Sequence, residues 1–158
     1  LSVKLEENDI RETIKTVVEE MTVTAEAKKL TLTCTVPQGP VNIATDIERL
    51  HQIVTNLLSN AIKYTNQGNI SIVVNQNPRE VEIRIQDSGH GISAKDQAQL
   101  FQPFKRVGNA DEGEEVGSGL GMWITKKLVG LLGGDVTIES IENVGTHAII
   151  HLYYKKIK

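Results

Sequence analysis

The sequence predicts a two-layer α/β sandwich, in which a mixed, mostly antiparallel sheet is covered on one face by helices. Three observations lead there. A helix-like stretch over 46–65 carries one apolar stripe, Ile47, Leu50, Ile53, Val54, Leu57, Leu58 and Ala61, at three- and four-residue spacing. Period-two runs at Ile70, Ile72, Val74 and at Val81, Ile83, Ile85 form a hairpin around Asn77-Pro78, and a second hairpin, 136–140 with 146–154, closes the chain. Helices are few beside these hairpin-linked strands, so one helical layer covers one face of the sheet. The other face needs polar side chains or a partner.

Residues 1–7 are polar and read as the end of a linker from an upstream domain, leaving 8–158 as a single domain. Asp9 with Glu12 offers a capping box for a first helix that buries Ile10, Ile14, Val17, Val18, Met21 and Ala25 and runs to about residue 28. Leu30, Leu32, Cys34 and Val36 then alternate with threonines as a half-buried strand, broken by Pro37, Gly39 and Pro40 before a short strand over 41–44. Thr45 with Glu48 is a second capping box, opening the central helix. After the first hairpin, Ser93 with Asp96 starts a brief helix to about Leu100. Residues 105–118, KRVGNADEGEEVGS, are glycine-rich and almost without apolar material, the composition of a mobile or functional loop. Helical spacing returns over 120–132 and ends at Gly133-Gly134, a C-cap.

Composition narrows the function. With 39% hydrophobic and 23% charged residues, the 158-residue chain has the make-up of an ordinary globular domain. Its net charge of −3 and the lack of a basic block interleaved with aromatics exclude nucleic acid as a partner, so any bound polyanion is small. Cys34, the only cysteine, alternates with apolar residues and reads as a buried structural thiol; no disulfide framework is possible. No run of about 20 apolar residues and no signal-peptide pattern occurs. The chain is expected to be soluble and, beginning at Leu1 rather than Met, to be cut from a longer protein.

The chemistry sits at the edge of the central helix. Asn56, Asn60 and Lys63 fall near one line, roughly 130° round from the centre of the apolar stripe. A carboxamide oxygen ligates hard cations and an ammonium suits phosphate oxygens, so this edge has the groups to hold a metal-phosphate; a solvated helix flank is the plain alternative. Two glycine clusters lie where strands or loops meet helices, DSGHGI over 87–92 and GSGLGM over 117–122. Glycines let backbone N–H groups approach a ligand, and a following helix N-terminus favours anions, which fits the second cluster to phosphate. Asp87, opening the first, can accept from an exocyclic amine such as that of adenine. Taken alone, each cluster also reads as a plain glycine turn, and neither matches a Walker A loop or a Rossmann fingerprint.

Taken in order, Asn56-x3-Asn60-Ala61-x-Lys63-Tyr64, Asp87-x-Gly89-x-Gly91-Ile92, Phe101-x2-Phe104, Gly117-x-Gly119-Leu120-Gly121 and Gly145-Thr146, the sequence resembles the ATP-binding catalytic domain of sensor histidine kinases, with its Bergerat-type ATP-binding fold. The resemblance covers nearly the whole chain. It implies ATP and Mg²⁺ as cofactors, with Asn60 as Mg²⁺ ligand, Asn56 beside it, Lys63 on phosphate and Tyr64 near the nucleotide. It implies that Asp87 reads the adenine amino group, that Gly89, Gly91 and Ile92 shape that end of the pocket, and that Thr146 supports it from the last hairpin. Gly117, Gly119, Leu120 and Gly121 would turn backbone N–H groups to the phosphates, under a lid over 105–118. Arg106 is a candidate γ-phosphate contact, a solvated loop arginine being its alternative. Phe101 and Phe104 are candidates for contact with a neighbouring helical domain or for packing beneath the lid.

In the related gyrase-like, MutL-like and Hsp90-like ATPases, the residue four before the Mg²⁺-ligating Asn is a water-activating glutamate. Here it is Asn56, which cannot act as a base. The resemblance therefore implies phosphotransfer rather than hydrolysis, to a histidine nucleophile. None of His51, His90, His147 and His151 is followed by an acidic residue in the phosphoacceptor pattern; the resemblance implies an acceptor on a histidine-containing dimerisation domain, upstream in the same homodimeric protein or on another protein. A response-regulator receiver would take the phosphoryl group onward. A cytoplasmic domain follows from ATP use, and membrane anchoring of the full-length protein stays open. A regulatory module of the same fold that binds nucleotide without phosphotransfer is the alternative.

Overall fold

A computed structural model of the chain describes residues 2–102 and 121–154. The element order is β1 (Glu6–Asp9), α1 (Arg11–Ala27), β2 (Thr31–Thr35), β3 (Asn42–Thr45), α2 (Ile47–Lys63), β4 (Asn69–Gln76), β5 (Glu80–Asp87), α3 (Ala94–Gln97), α4 (Gly121–Leu131), β6 (Gly134–Ile141) and β7 (Gly145–Tyr153). Five strands form one sheet in the order β2-β4-β5-β7-β6. Only β2 joins it parallel, beside β4; the other pairings are antiparallel. Helices α1, α2 and α4 cover one face. This is the expected two-layer sandwich, with both hairpins in place.

Burial follows the periodicities. Leu50, Ile53, Val54, Leu57, Leu58, Ala61 and Ile62 of α2 are buried against a sheet face made of Ile70, Ile72, Val74, Val81, Ile83, Ile85, Ala148, Ile150 and Leu152. At about 1.5–3 kcal/mol for each large side chain, this packing outweighs the ~1 kcal/mol of a helix cap and decides where α2 lies. Ile62 belongs to the buried set, whereas Ile47, the first residue of the expected stripe, is half-buried in the opening turn.

The caps differ from expectation for local reasons. Thr45 is the last residue of β3, paired with Glu6 and buried, its hydroxyl without a partner. Asp46 caps α2 instead, its Oδ1 accepting from the Arg49 N–H at 3.3 Å. No box forms at Asp9 and Glu12 either, because Asp9 is drawn into other bonds. Its carboxylate takes the Arg11 guanidinium at 2.8 Å and accepts from the Val41 N–H, and Arg11 holds its carboxyl well below the usual carboxylate range. β1 pairs with β3 from Glu6 onward, and the Lys4 N–H donates to Asp46 Oδ2 at 2.9 Å. The polar segment 1–7 thus enters the fold before it ends. Cys34 is half-buried rather than buried, and burial pushes its thiol up.

The sheet's open face is polar. Glu80, Glu82 and Arg84 of β5 face out beside His147, His151 and Tyr153 of β7; Arg84 is flanked on this face by two apolar residues, the half-buried Val73 and Ile149, which is only 2% exposed and also paired with Thr137. The Arg84 Nε donates to Glu82 at 3.1 Å and its Nη1 lies 3.2 Å from His147 Nδ1.

The C-terminus of α2 is tied down by a residue the periodicity does not single out. Lys28, just past α1, donates from Nζ to the Ile62 and Lys63 carbonyls at 2.7 and 3.0 Å. These are carbonyls of the last turn, where a cation is favoured. Lys28→Met should lower stability by about 1 kcal/mol without changing the urea m-value, measured by equilibrium unfolding. No loss of stability would show that the bond contributes nothing net.

Candidate functional site

The asparagine edge of α2 is covered by the first turn of α4. Asn56 donates from Nδ2 to the Gly121 carbonyl at 2.9 Å and to Thr125 Oγ1 at 2.5 Å, and Thr125 in turn donates to the Gly121 carbonyl at 2.8 Å. One turn along, Asn60 Nδ2 lies 3.4 Å from Met122 Sδ. With the amide nitrogen engaged, the Asn60 Oδ1 is the atom left to accept a cation or a water. Thr125 is 1% exposed, so one of the two partners that fix the Asn56 amide is buried. Beyond Asn56 a cavity of about 450 Å³ opens between α2 and α4, lined among others by Gln52, Thr55, Asn56, Gly121, Ile124 and Thr125. At the other end of the edge, Lys63 Nζ sits 5.9 Å from the Tyr64 ring centroid, and that ring meets His90 edge-on at 5.5 Å.

The second half of the site hangs on Asp87, the last residue of β5. Its Oδ1 accepts from the Gly89 N–H at 2.9 Å and from the Thr146 N–H at 3.2 Å, so β7 and the following loop orient the carboxylate and leave Oδ2 to face a donor. Burial pushes the Asp87 carboxyl above its ordinary value, and the two N–H bonds pull it part of the way back. Thr146 reaches Ser140 through its hydroxyl at 2.8 Å, and Ser140 accepts from the Ile92 N–H at 2.8 Å. The loop after Asp87 is pinned from both sides. The His90 N–H donates to the Tyr64 carbonyl, and its own carbonyl accepts from the Asn143 N–H at 2.6 Å. A Cβ on Gly89 would strike the Tyr64 carbonyl, and Gly91, at φ +72°, would drive one into the Ile141 carbonyl. These two glycines are required by close packing of loop on helix and hairpin.

The structure therefore brings Asn56, Asn60, Lys63, Tyr64, Asp87, Gly89, Gly91, Ile92, Gly121 and Thr146 around one region between α2, the β5 and β7 ends and the start of α4. Arg106, Gly117, Gly119, Leu120 and Phe104 lie outside the described residues. Phe101 packs against the core, and Lys126 Nζ stands 4.7 Å from its ring centroid. Sequence reasoning missed Thr125, Ser140 and Lys28. A threonine one turn after a glycine cluster, directed at an asparagine 69 residues earlier, leaves no mark on any periodicity.

Comparison with known proteins agrees with this fold. Residues 45–156 match the family described as histidine kinase-, DNA gyrase B-, and HSP90-like ATPase. The chain is 38% identical over 149 residues to the signal transduction histidine-protein kinase BarA of Escherichia coli (strain K12), covering 90% of this chain and 16% of that protein. It thus spans about a sixth of the length of that relative. Among solved structures, full-length ShkA in complex with AMPPNP superposes with a TM-score of 0.85 at 24% identity, over 100% of this chain and 33% of that one. The nucleotide-free catalytic domain of the histidine kinase ThkA gives 0.84 at 22% identity, over 98% and 100%. Both likenesses show the fold.

Because folding raises the Asp87 carboxyl above its ordinary value of 3.8, its ionised form costs stability above the folded-state value, and the cost fades as pH falls toward 3.8. Asp87→Asn should therefore leave the nucleotide-free domain as stable as wild type or more so at pH 7, the gain shrinking at acid pH. Thermal unfolding across pH checks this, and a destabilised variant at pH 7 would contradict it.

Proposed function

As the chain belongs to the histidine kinase-, DNA gyrase B-, and HSP90-like ATPase family, we propose that it binds Mg-ATP in this region and passes the γ-phosphoryl group to a histidine on a separate domain. Asp87 Oδ2 accepts the exocyclic amine of adenine while Oδ1 stays with Gly89 and Thr146. Gly89, Gly91 and Ile92 shape that end, with Tyr64 near the base. Asn60 Oδ1 holds Mg²⁺, with Asn56 beside it; the bound ion supplies charge neutralisation at the phosphates. Lys63, the N-terminus of α4 at Gly121, and Gly117, Gly119, Leu120 and Arg106 of the preceding segment complete the phosphate contacts.

The observation that carries this reading is the held amide of Asn56. Its Nδ2 is committed to the Gly121 carbonyl and Thr125, and a carboxamide takes no proton from water at neutral pH. The domain consequently positions ATP for in-line attack by an incoming imidazole; the N–P bond forms as the bond from γ-phosphorus to the β,γ-bridging oxygen breaks, and ADP leaves. The acceptor histidine, its dimerisation domain upstream in a homodimeric protein, and a response regulator whose aspartate takes the phosphoryl group next are the partners this implies. Use of ATP puts the domain in the cytoplasm.

Titration calorimetry with a non-hydrolysable ATP analogue, with and without Mg²⁺, should show binding strengthened by Mg²⁺. Asn60→Ala should lose at least about tenfold in that affinity with an unchanged fold, since one ligand of a metal-phosphate is removed. Asp87→Asn should narrow the preference for ATP over GTP, and equal losses for both nucleotides would contradict the adenine assignment. A longer chain carrying the upstream segment should label on histidine with ATP. Binding without such labelling would leave a nucleotide-binding regulatory module.

A further inference from the structure

On the open face of the sheet, away from α2, α4 and the nucleotide region, Glu80, Glu82 and His151 each bring one ligand atom to within 4.8 Å of the others. Among the described residues they are the only such group of three. We propose that this trio is a binding site for a divalent transition-metal ion of the Zn²⁺ type.

Register places the three together. Glu82 of β5 stands opposite His151 of β7, and Glu80 lies two residues along the same face. Both strands are interior to the sheet, so the backbone carrying the ligands is held on each side. A tetrahedral ion with ligands at about 2.1 Å has ligand atoms about 3.4 Å apart. Closing from 4.8 Å to that spacing takes about 1.4 Å of approach, within the reach of side-chain rotation. The donor set, one imidazole and two carboxylates with a position left for water, selects Zn²⁺, Co²⁺ or Ni²⁺ over Ca²⁺ or Mg²⁺, which prefer all-oxygen shells.

The histidine is already oriented as a ligand. Its Nδ1 lies 2.8 Å from Glu80 Oε1, and its Nε2 lies 3.2 Å from Thr137 Oγ1 on β6. Metal at Nδ1 would replace the proton shared with Glu80, and Nε2–H would donate to Thr137, the outer bond that fixes tautomer and ring angle in histidine metal sites. Tyr153 stacks on the ring at 6.3 Å, and the side chains of His151 and Glu80 are 20% and 17% exposed, which limits competing water. The opposing charge is Arg84, 3.1 Å from Glu82 Oε1. It engages that oxygen through Nε and leaves the other carboxylate oxygen for the ion.

Calorimetry of the nucleotide-free chain with Zn²⁺ should give one site, and Co²⁺ should develop the absorption of a low-symmetry, nitrogen-containing complex. His151→Gln and Glu80→Gln should each weaken Zn²⁺ at least about tenfold and abolish the rise in unfolding temperature that Zn²⁺ gives the wild type. His51→Gln should bind Zn²⁺ as wild type does, although His51 also contacts a carboxylate, Glu20, at 2.8 Å. Each variant should keep its metal-free unfolding temperature within a few degrees and its affinity for the Mg²⁺-bound ATP analogue, which separates this site from the nucleotide reading. Absence of Zn²⁺ binding up to about 1 mM, or binding that survives His151→Gln or depends on His51, would overturn the assignment.

Discussion

The fold depends on one helix that must be dry on one side and chemically available at its edge. Seven buried side chains of α2 lock it between the sheet and its helical neighbours, and once that face is committed the helical repeat leaves no freedom over where Asn56 and Asn60 emerge. They meet the first turn of α4, and the amides find a carbonyl, a hydroxyl and a thioether. The hydrophobic term sets the position and the polar term reads it out. A register slip of α2 by one residue would turn the asparagines by about 100° and dissolve the site together with the core.

Asp87 shows the complementary situation. Its surroundings disfavour the charge it carries, yet two backbone N–H groups, one local and one from β7, hold one oxygen in place. A carboxylate that is partly dehydrated and already oriented needs little rearrangement when a donor arrives. The glycines nearby serve this arrangement indirectly. Gly89 and Gly91 let the loop lie against the end of α2 and the β6–β7 turn, which is what keeps the Gly89 N–H aimed at Asp87.

Much of this was legible in the sequence. The stripe of α2, both hairpins and the short helix capped by Ser93, whose hydroxyl accepts from the Asp96 N–H, are encoded within a few residues of where they act. The same holds for the asparagine edge, because one helix carries it entire. What escaped was non-local. Thr45 looked like a cap because its neighbours in sequence say so, but pairing with Glu6 at the start of the chain draws it inward. The parallel seating of β2 on β4, the Thr125 bond to Asn56, the Ser140 link between Thr146 and Ile92, and the grip of Lys28 on the end of α2 all join segments that only the folded chain brings together. The polar covering of the open face was expected in kind; its grouping into a few bonded clusters was not, since strand register decides it.

The bond from the Thr146 N–H to Asp87 spans 59 positions, and the β5–β7 pairing that creates it joins two hairpins which can each form locally. Contacts of that sequence separation carry the largest chain-entropy cost and are made late. During synthesis, a chain that has emerged only as far as β5 holds α2 and the first hairpin but no oriented Asp87. Affinity for a ligand at Asp87 is therefore a property of the completed domain alone, and such a ligand stabilises the finished fold while giving nothing to its fragments.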